Sequence, residues 1–383
     1  MKPLHVLHVI TGIERGGAEN HLFDLVKHQL ASGMRITVAY LRGQGYWAPT
    51  LRKLGARVDF LKLRFYGDPR PLNLLRAILA ETRFALIHAH LPPAELYTRV
   101  ALAVRGDDST PLLISKHNDC PFHGLPGERA LGRWVARRAR MVIAISEAVN
   151  RYMTGPALGL PASQVRTIRY GIDSTPYENV PAEKVAALRR EWGVKDDTFV
   201  IGFAGRLVEQ KAIPKLLEAY ALFYKNAPCD TRLVLAGRGP LDAELRLCVA
   251  RLGIVGHVVW AGFREDVPVM MRAFDAFALT SVHEGFGLVL VEAMAAERPV
   301  IATRSGAIPE VVVEGETGFL ANDPQEVAHA LTQLCDQELR TRFGTAGRRR
   351  VNERFDLDRM CAESDAAYRD LLPHLKTESA VAV

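Results

Sequence analysis

The chain has 383 residues, 48% of them apolar and 24% charged, the balance of an ordinary globular protein with room for two cores. No run of 18 apolar residues occurs, so no membrane-spanning helix is expected. Five widely spaced cysteines (Cys120, Cys229, Cys248, Cys335, Cys361), none in a Cys-x-x-Cys pair, argue against a disulfide framework and against structural zinc. The net charge of +6 divides unevenly: residues 1–175 hold 24 Lys/Arg against 13 Asp/Glu, residues 176–383 hold 25 against 30. The first half is therefore a basic body, suited to nucleic acid, anionic lipid or phosphorylated substrates.

The opening stretch Met1–Ile10 has an apolar run too short and too interrupted for a signal peptide. It reads as a first strand, and the expectation is a cytoplasmic protein. Short β-rich runs then recur (Val6–Ile10, Ile36–Tyr40, Val58–Leu61, Leu86–His88, Leu112–Ser115, Met141–Ile145, Val165–Ile168) with helical-period segments between them. That alternation predicts a parallel sheet with crossover helices. Turn-rich residues at Tyr170–Tyr177 mark a linker, and a second series follows: Phe199–Phe203, Arg232–Ala236, Val258–Trp260, Ala276–Leu279, Val300–Ala302 and Gly318–Leu320. Two doubly wound α/β domains in tandem place a ligand cleft at the carboxyl edges of their sheets. A last helix is expected from about Asp358 to Leu372, packing back on the first domain, with a disordered tail at Lys376–Val383.

After the first strand, Gly16-Gly17 lets the backbone approach a ligand before a helix starting near Ala18. The pattern is not Gly-x-Gly-x-x-Gly and no acid ends the second strand, which disfavours a nicotinamide oxidoreductase. His88 and His90, two apart, share one face of a strand, yet no third ligand is evident and no metal is expected. His90 is expected to line the acceptor side. Arg129, Arg133, Arg137 and Arg140, beside Trp134, form a cationic stripe on a predicted helix that could rest on anionic lipid or hold an anionic acceptor. No nucleic-acid-reading motif is present.

In the second half, Arg206 and Lys211 stand five residues apart on a loop at a strand's carboxyl end, where both reach one pyrophosphate. Gly237 and Arg238 open another turn near a helix start. The stretch Ser281–Met294 joins a buried strand, a glycine-bracketed turn (Glu284-Gly285-Phe286-Gly287-Leu288) and a helix whose first amides form an anion seat. Two carboxylates beside that seat, Glu284 and Glu292, would repel a bare phosphate. They suit a ligand that also carries hydroxyls, which points to a nucleotide sugar.

Gly205-Arg206-Leu207 with Lys211, then Glu284-Gly285-Phe286-Gly287 and Glu292 in an E-x7-E spacing, resembles the donor site of the retaining glycosyltransferases of family 4, which have the GT-B fold of two Rossmann-like domains. Gly16-Gly17-Ala18-Glu19 resembles that family's amino-terminal loop, and Ser305–Glu310 with Glu316–Leu320 resembles its carboxyl-terminal signature. The resemblance implies a basic acceptor-binding domain over residues 1–175, a donor-binding domain over 176–357 and a carboxyl-terminal segment over 358–383. It implies that Arg206 and Lys211, with the glycines 16 and 17, bind the donor diphosphate. Glu284 and the amides of Gly285–Leu288 would hold the transferred sugar and its phosphate, and Glu292 the ribose hydroxyls. Gly237 and Arg238 would flank the nucleotide, and His117 would touch the donor sugar or the reacting centre.

The implied reaction moves a hexose or N-acetylhexosamine, with retention and without a divalent metal or other cofactor. The donor is a nucleotide-diphosphate sugar, UDP favoured over GDP-mannose, and the acceptor a glycan or lipid-linked molecule of surface polysaccharide, lipopolysaccharide or glycolipid synthesis, at the cytoplasmic face of a membrane. A nucleotide-sugar epimerase on the same architecture is the rival, and a silent sugar-nucleotide binder a further one.

Overall fold

A computed structural model describes residues 3–118 and 127–372. Cys120, Asp119 and the expected disordered tail lie outside the described residues. The chain divides into two compact units: one runs to Gly171 and takes in the segment from Leu357 onward, and the other is Ile172–Asp356. The divisions fall at 171 and 356, where the turn-rich composition set them at 175 and 357. No helix among the described residues is long and apolar enough to cross a membrane.

The first unit is built on seven parallel strands: β1 (His5–Ile10), β2 (Arg35–Tyr40), β3 (Arg57–Phe60), β4 (Leu86–His90), β5 (Leu112–Lys116), β6 (Met141–Ala144) and β7 (Val165–Thr167). Their order is β3-β2-β1-β4-β5-β6-β7. Every residue of β1, β4 and β5 is buried, as helices on both faces require. Helix starts follow local chemistry. Asp68 accepts from the Arg70 amide (3.0 Å) ahead of the helix Pro69–Glu81, and Ser146 accepts from the Val149 amide (3.1 Å) ahead of Glu147–Thr154. The final helix, Leu357–Leu371, belongs to this unit: His21 Nδ1 meets Met360 Sδ at 3.1 Å, His28 meets Asp365 at 3.0 Å, and Arg166 pairs with Asp370 at 2.7 Å.

The second unit holds β8 (Phe199–Ala204), β9 (Thr231–Ala236), β10 (Val258–Gly262), β11 (Ala276–Leu279), β12 (Val300–Thr303) and β13 (Gly318–Ala321), ordered β10-β9-β8-β11-β12-β13. Its core contains Phe203, Tyr220, Phe274 and Phe277, and Gly202 carries no Cβ because the Phe274 ring lies against it. Two cysteines that sequence places 106 residues apart, Cys229 and Cys335, come within 3.7 Å, sulfur to sulfur. In each sheet the order reverses once, between β1 and β4 and between β8 and β11. In open α/β sheets such a reversal is where ligands bind, at the carboxyl ends of the strands.

Candidate active site

At the second unit's switch point, β8 runs into the loop bearing Arg206 and Lys211, and β11 runs into Ser281–Gly287. The two loops are stitched together: the Val282 amide donates to the Gln210 carbonyl (2.9 Å), Gln210 Nε2 to the His283 carbonyl (2.8 Å), and the Thr280 hydroxyl to the carbonyls of Lys211 (3.3 Å) and Ala212 (3.2 Å). This stitching sets Lys211 Nζ against Glu284 Oε1 as an ion pair, and the Ser281 hydroxyl donates to the same carboxylate oxygen at 2.7 Å. Sequence reading gave Lys211 and Glu284 separate ligands, but the fold makes them one neutralised unit. Arg206 is exposed, and its side chain has no hydrogen bond or ion pair among the described residues.

Gly287 caps the helix Leu288–Ala295 in the left-handed conformation (φ 86°), which only glycine adopts cheaply. The turn is held from behind: the Ala307 amide donates to the Glu284 carbonyl (3.0 Å), and Gly306 leaves the space that carbonyl fills. Phe286 is buried edge-on against Phe355, with ring centroids 5.5 Å apart, so this residue can offer a ligand its backbone only. One turn into the helix, Glu292 is hydrogen-bonded to Tyr177, and burial pushes its carboxyl up to about 7 against that bond. Gly237 (φ 138°) lies against the Gly205 carbonyl where a Cβ would overlap it, and the Leu207 amide donates to the Arg238 carbonyl at 3.0 Å. Gly237 and Arg238 are thereby placed beside the Arg206 loop.

At the first unit's switch point the chemistry is imidazole. His8 on β1 is the register partner of His88 on β4, and His90 is the partner of Ser115 on β5. The structure corrects the reading of His88 and His90 as a pair with no third partner: with His8, one ring nitrogen from each of the three lies within 4.8 Å of the other two. His8 Nδ1 meets His90 Nε2 (3.1 Å), His8 Nε2 meets Gln29 Oε1 (2.8 Å), His88 meets Tyr368 (2.7 Å) and Ser115 (2.8 Å), and His90 Nδ1 meets His117 Nε2 (3.3 Å). All six nitrogens of the three rings are engaged in these bonds, which makes the cluster a hydrogen-bonded array. Burial pushes His8 down to about 4 and His21 to about 3, and holds His88, His90 and His117 well below the usual imidazole range. These rings are neutral at physiological pH.

His90, expected on the acceptor side, is fully buried, so it backs the site and does not line it. His117 follows β5 directly, half-buried, with Nδ1 on the Tyr170 hydroxyl. Lys116 beside it forms a sealed ion pair with Glu95. Gly16 caps the helix Gly17–Ala31 in extended backbone, with the Glu19 carboxylate folded over it.

Two family models cover most of the chain: "Glycosyltransferase Family 4" matches residues 15–175 and "Glycosyl transferases group 1" residues 184–350. The alpha-maltose-1-phosphate synthase of Mycolicibacterium smegmatis is 30% identical over 92% of this chain and 95% of its own length. The chain belongs to glycosyltransferase family 4. The lipopolysaccharide core biosynthesis mannosyltransferase LpsB of Rhizobium meliloti is 29% identical over 90% of this chain and 95% of its own. The crystal structure of Anabaena HepE in complex with UDP-glucose is 27% identical, covering 95% of this chain and 100% of that one at a TM-score of 0.83. With that neighbour and its two parallel Rossmann-like sheets, this family 4 glycosyltransferase has the GT-B fold.

The arginine stripe of this glycosyltransferase is narrower than its spacing predicts. The helix is Glu128–Arg137, so Arg140 lies beyond it, its amide bonded to the Leu112 carbonyl, and half-buried Arg133 donates to the Leu158 carbonyl at 2.9 Å. Arg129, Arg137 and Arg140 are exposed, the last outside the helix. The sequence contains one Asp-x-Asp triplet, Asp356-Leu357-Asp358; it sits at the start of the final helix and not at a strand end. Residues that sequence reasoning missed are His8, His21, Gln29, Tyr170, Tyr177 and Ser281. Of these, His8 carried a signal, since a histidine between apolar neighbours in the first strand must find a hydrogen-bond partner when buried.

Proposed function

We propose that this glycosyltransferase moves a hexose or N-acetylhexosamine from a nucleotide-diphosphate sugar, with retention and without a divalent metal, to a glycan or lipid-linked acceptor. One observation carries the reading: the Lys211–Glu284 pair joins the loop that bears exposed Arg206 to the turn that leads into the helix Leu288–Ala295. A pyrophosphate draws Lys211 and Arg206 and takes the helix amides. Glu284, released from its cation, then accepts hydrogen bonds from sugar hydroxyls, while Glu292 takes the ribose. As the diphosphate leaves, its growing charge meets groups already oriented toward it, the work a metal ion does in other transferases. The UDP-glucose bound by HepE supports a uridine donor.

Incubating the protein with UDP- and GDP-sugars, with EDTA present, tests the reading through product mass and the anomeric signal of the product. Retained product in EDTA is expected, and no transfer from any donor refutes it. A lipid-linked acceptor and contact with an anionic membrane surface rest on exposed Arg129 and Arg137 in the basic unit. Arg129→Glu with Arg137→Glu is expected to weaken co-sedimentation with anionic vesicles by about 1 kcal/mol per charge. Binding equal to wild type dismisses the surface role.

A further inference from the structure

Gln29, His8, His90, His117 and Tyr170 form an unbroken row of hydrogen bonds across β1, β4 and the end of β5. A neutral imidazole has one N–H and one lone pair, and each link in such a row holds a single proton. The tautomer of one ring therefore fixes all the others. The row ends on Gln29 Oε1, which can only accept. His8 must then carry its proton on Nε2 and offer Nδ1 to the Nε2–H of His90. His90 offers Nδ1 to the Nε2–H of His117, and His117 offers Nδ1 to the Tyr170 hydroxyl, which donates. The row stops at Gln29, whose amide nitrogen has no closed bond; beyond it, His88 Nδ1 meets the Tyr368 hydroxyl and His88 Nε2 the Ser115 hydroxyl as a separate pair of contacts.

We propose that Gln29, His8 and His90 are positioning residues that hold His117 in its Nε2–H tautomer, so that its Nδ1 presents a lone pair to a substrate hydroxyl at the place now taken by the Tyr170 hydroxyl. The use made of that lone pair rests on the transferase reading above; the order of protons does not. The reverse tautomer would present an N–H, which can only donate, to a hydroxyl, phosphate or carbonyl oxygen, and would leave a substrate hydroxyl's own proton without this acceptor. Burial keeps the rings neutral, which preserves the one-proton-per-link rule, and it keeps Tyr170 protonated as a donor.

Long-range proton–nitrogen correlation of the histidine side chains in the full-length protein, at neutral pH, tests the order directly. His8, His90 and His117 are each expected as neutral rings protonated at Nε2. Gln29→Leu removes the terminal acceptor and is expected to mix the tautomers at all three rings. It should lower kcat about tenfold with donor KM nearly unchanged, the size seen when groups supporting a working residue are lost. A wild-type His117 protonated at Nδ1, or on both nitrogens, overturns the proposal whether or not any variant folds, as does an unchanged His117 tautomer in Gln29→Leu. If the spectrum is as expected and no donor sugar is transferred, the transferase reading fails while the proton order stands.

Discussion

Each unit contains a Lys–Glu pair near its switch point, and the two pairs do different work. Lys116–Glu95 is sealed, with side chains 2% and 1% exposed; Lys211–Glu284 is less completely closed, at 15% and 10%. A sealed pair owes its place to mutual compensation, because either charge alone in a low-dielectric interior is costly. A less completely closed pair keeps enough solvation to separate when a ligand offers each partner something better. Charge at a switch point is thus structural where water is shut out and available for chemistry where it is not. The less closed pair accordingly shares its loops with exposed Arg206 and with the turn into the helix Leu288–Ala295.

The largest effect expected from this contrast is on stability. Glu95→Ala strands the Lys116 ammonium and should lower the unfolding free energy by about 3–5 kcal/mol in chemical denaturation. A loss below about 1 kcal/mol would mean that the pair is not sealed. Lys211→Ala should act chiefly on function, cutting transfer by about 10²–10³-fold with a smaller loss of stability than Glu95→Ala, because its pair is less completely buried. Retained turnover would remove Lys211 from the diphosphate site.

Acid should separate the units. Histidines buried neutral resist protonation in the folded chain and accept protons when unfolded, so their contribution is present above about 6.5 and is lost as pH falls toward about 4 for His8 and about 3 for His21. Each fully buried ring then costs about 1.4 kcal/mol per pH unit across that window. Amide hydrogen exchange at pH 5 should show strands β1, β4 and β5 opening before β8 and β11; the reverse order contradicts the assignment. Glu292 has the opposite sign. Its folded pKa is raised to about 7, so its contribution is complete below about 4.5 and fades as pH rises through 7. Glu292→Gln should flatten that small decline in stability toward neutral pH, and an unaltered slope would place the titration elsewhere.

The architecture was legible because buried parallel strands write long aliphatic runs and glycine-marked turns into the chain. The placement of Lys211, Glu284 and Glu292 was legible too, since they sit on segments whose local geometry, strand end and helix start, follows from local sequence. What composition and spacing could not show were relations across strands. His8 and His90 lie 82 residues apart and meet only because the strand order sets β1 beside β4. The Lys211–Glu284 pairing, the burial of His90 and the turning of Arg133 inward depend on packing in the same way. Helical spacing put Arg140 on the stripe, but the helix stops at Arg137, where the chain must straighten to enter β6.

The helix Leu357–Leu371 follows the second unit in the chain and yet fills the first unit, where Tyr368 backs His88 and Met360 backs His21. A ribosome must therefore extrude residues 357–371 before the unit begun at residue 1 can close its core, while the unit between Ile172 and Asp356 can mature without waiting. Severing the chain at residue 356 would accordingly damage the distant beginning of the molecule more than the part next to the cut.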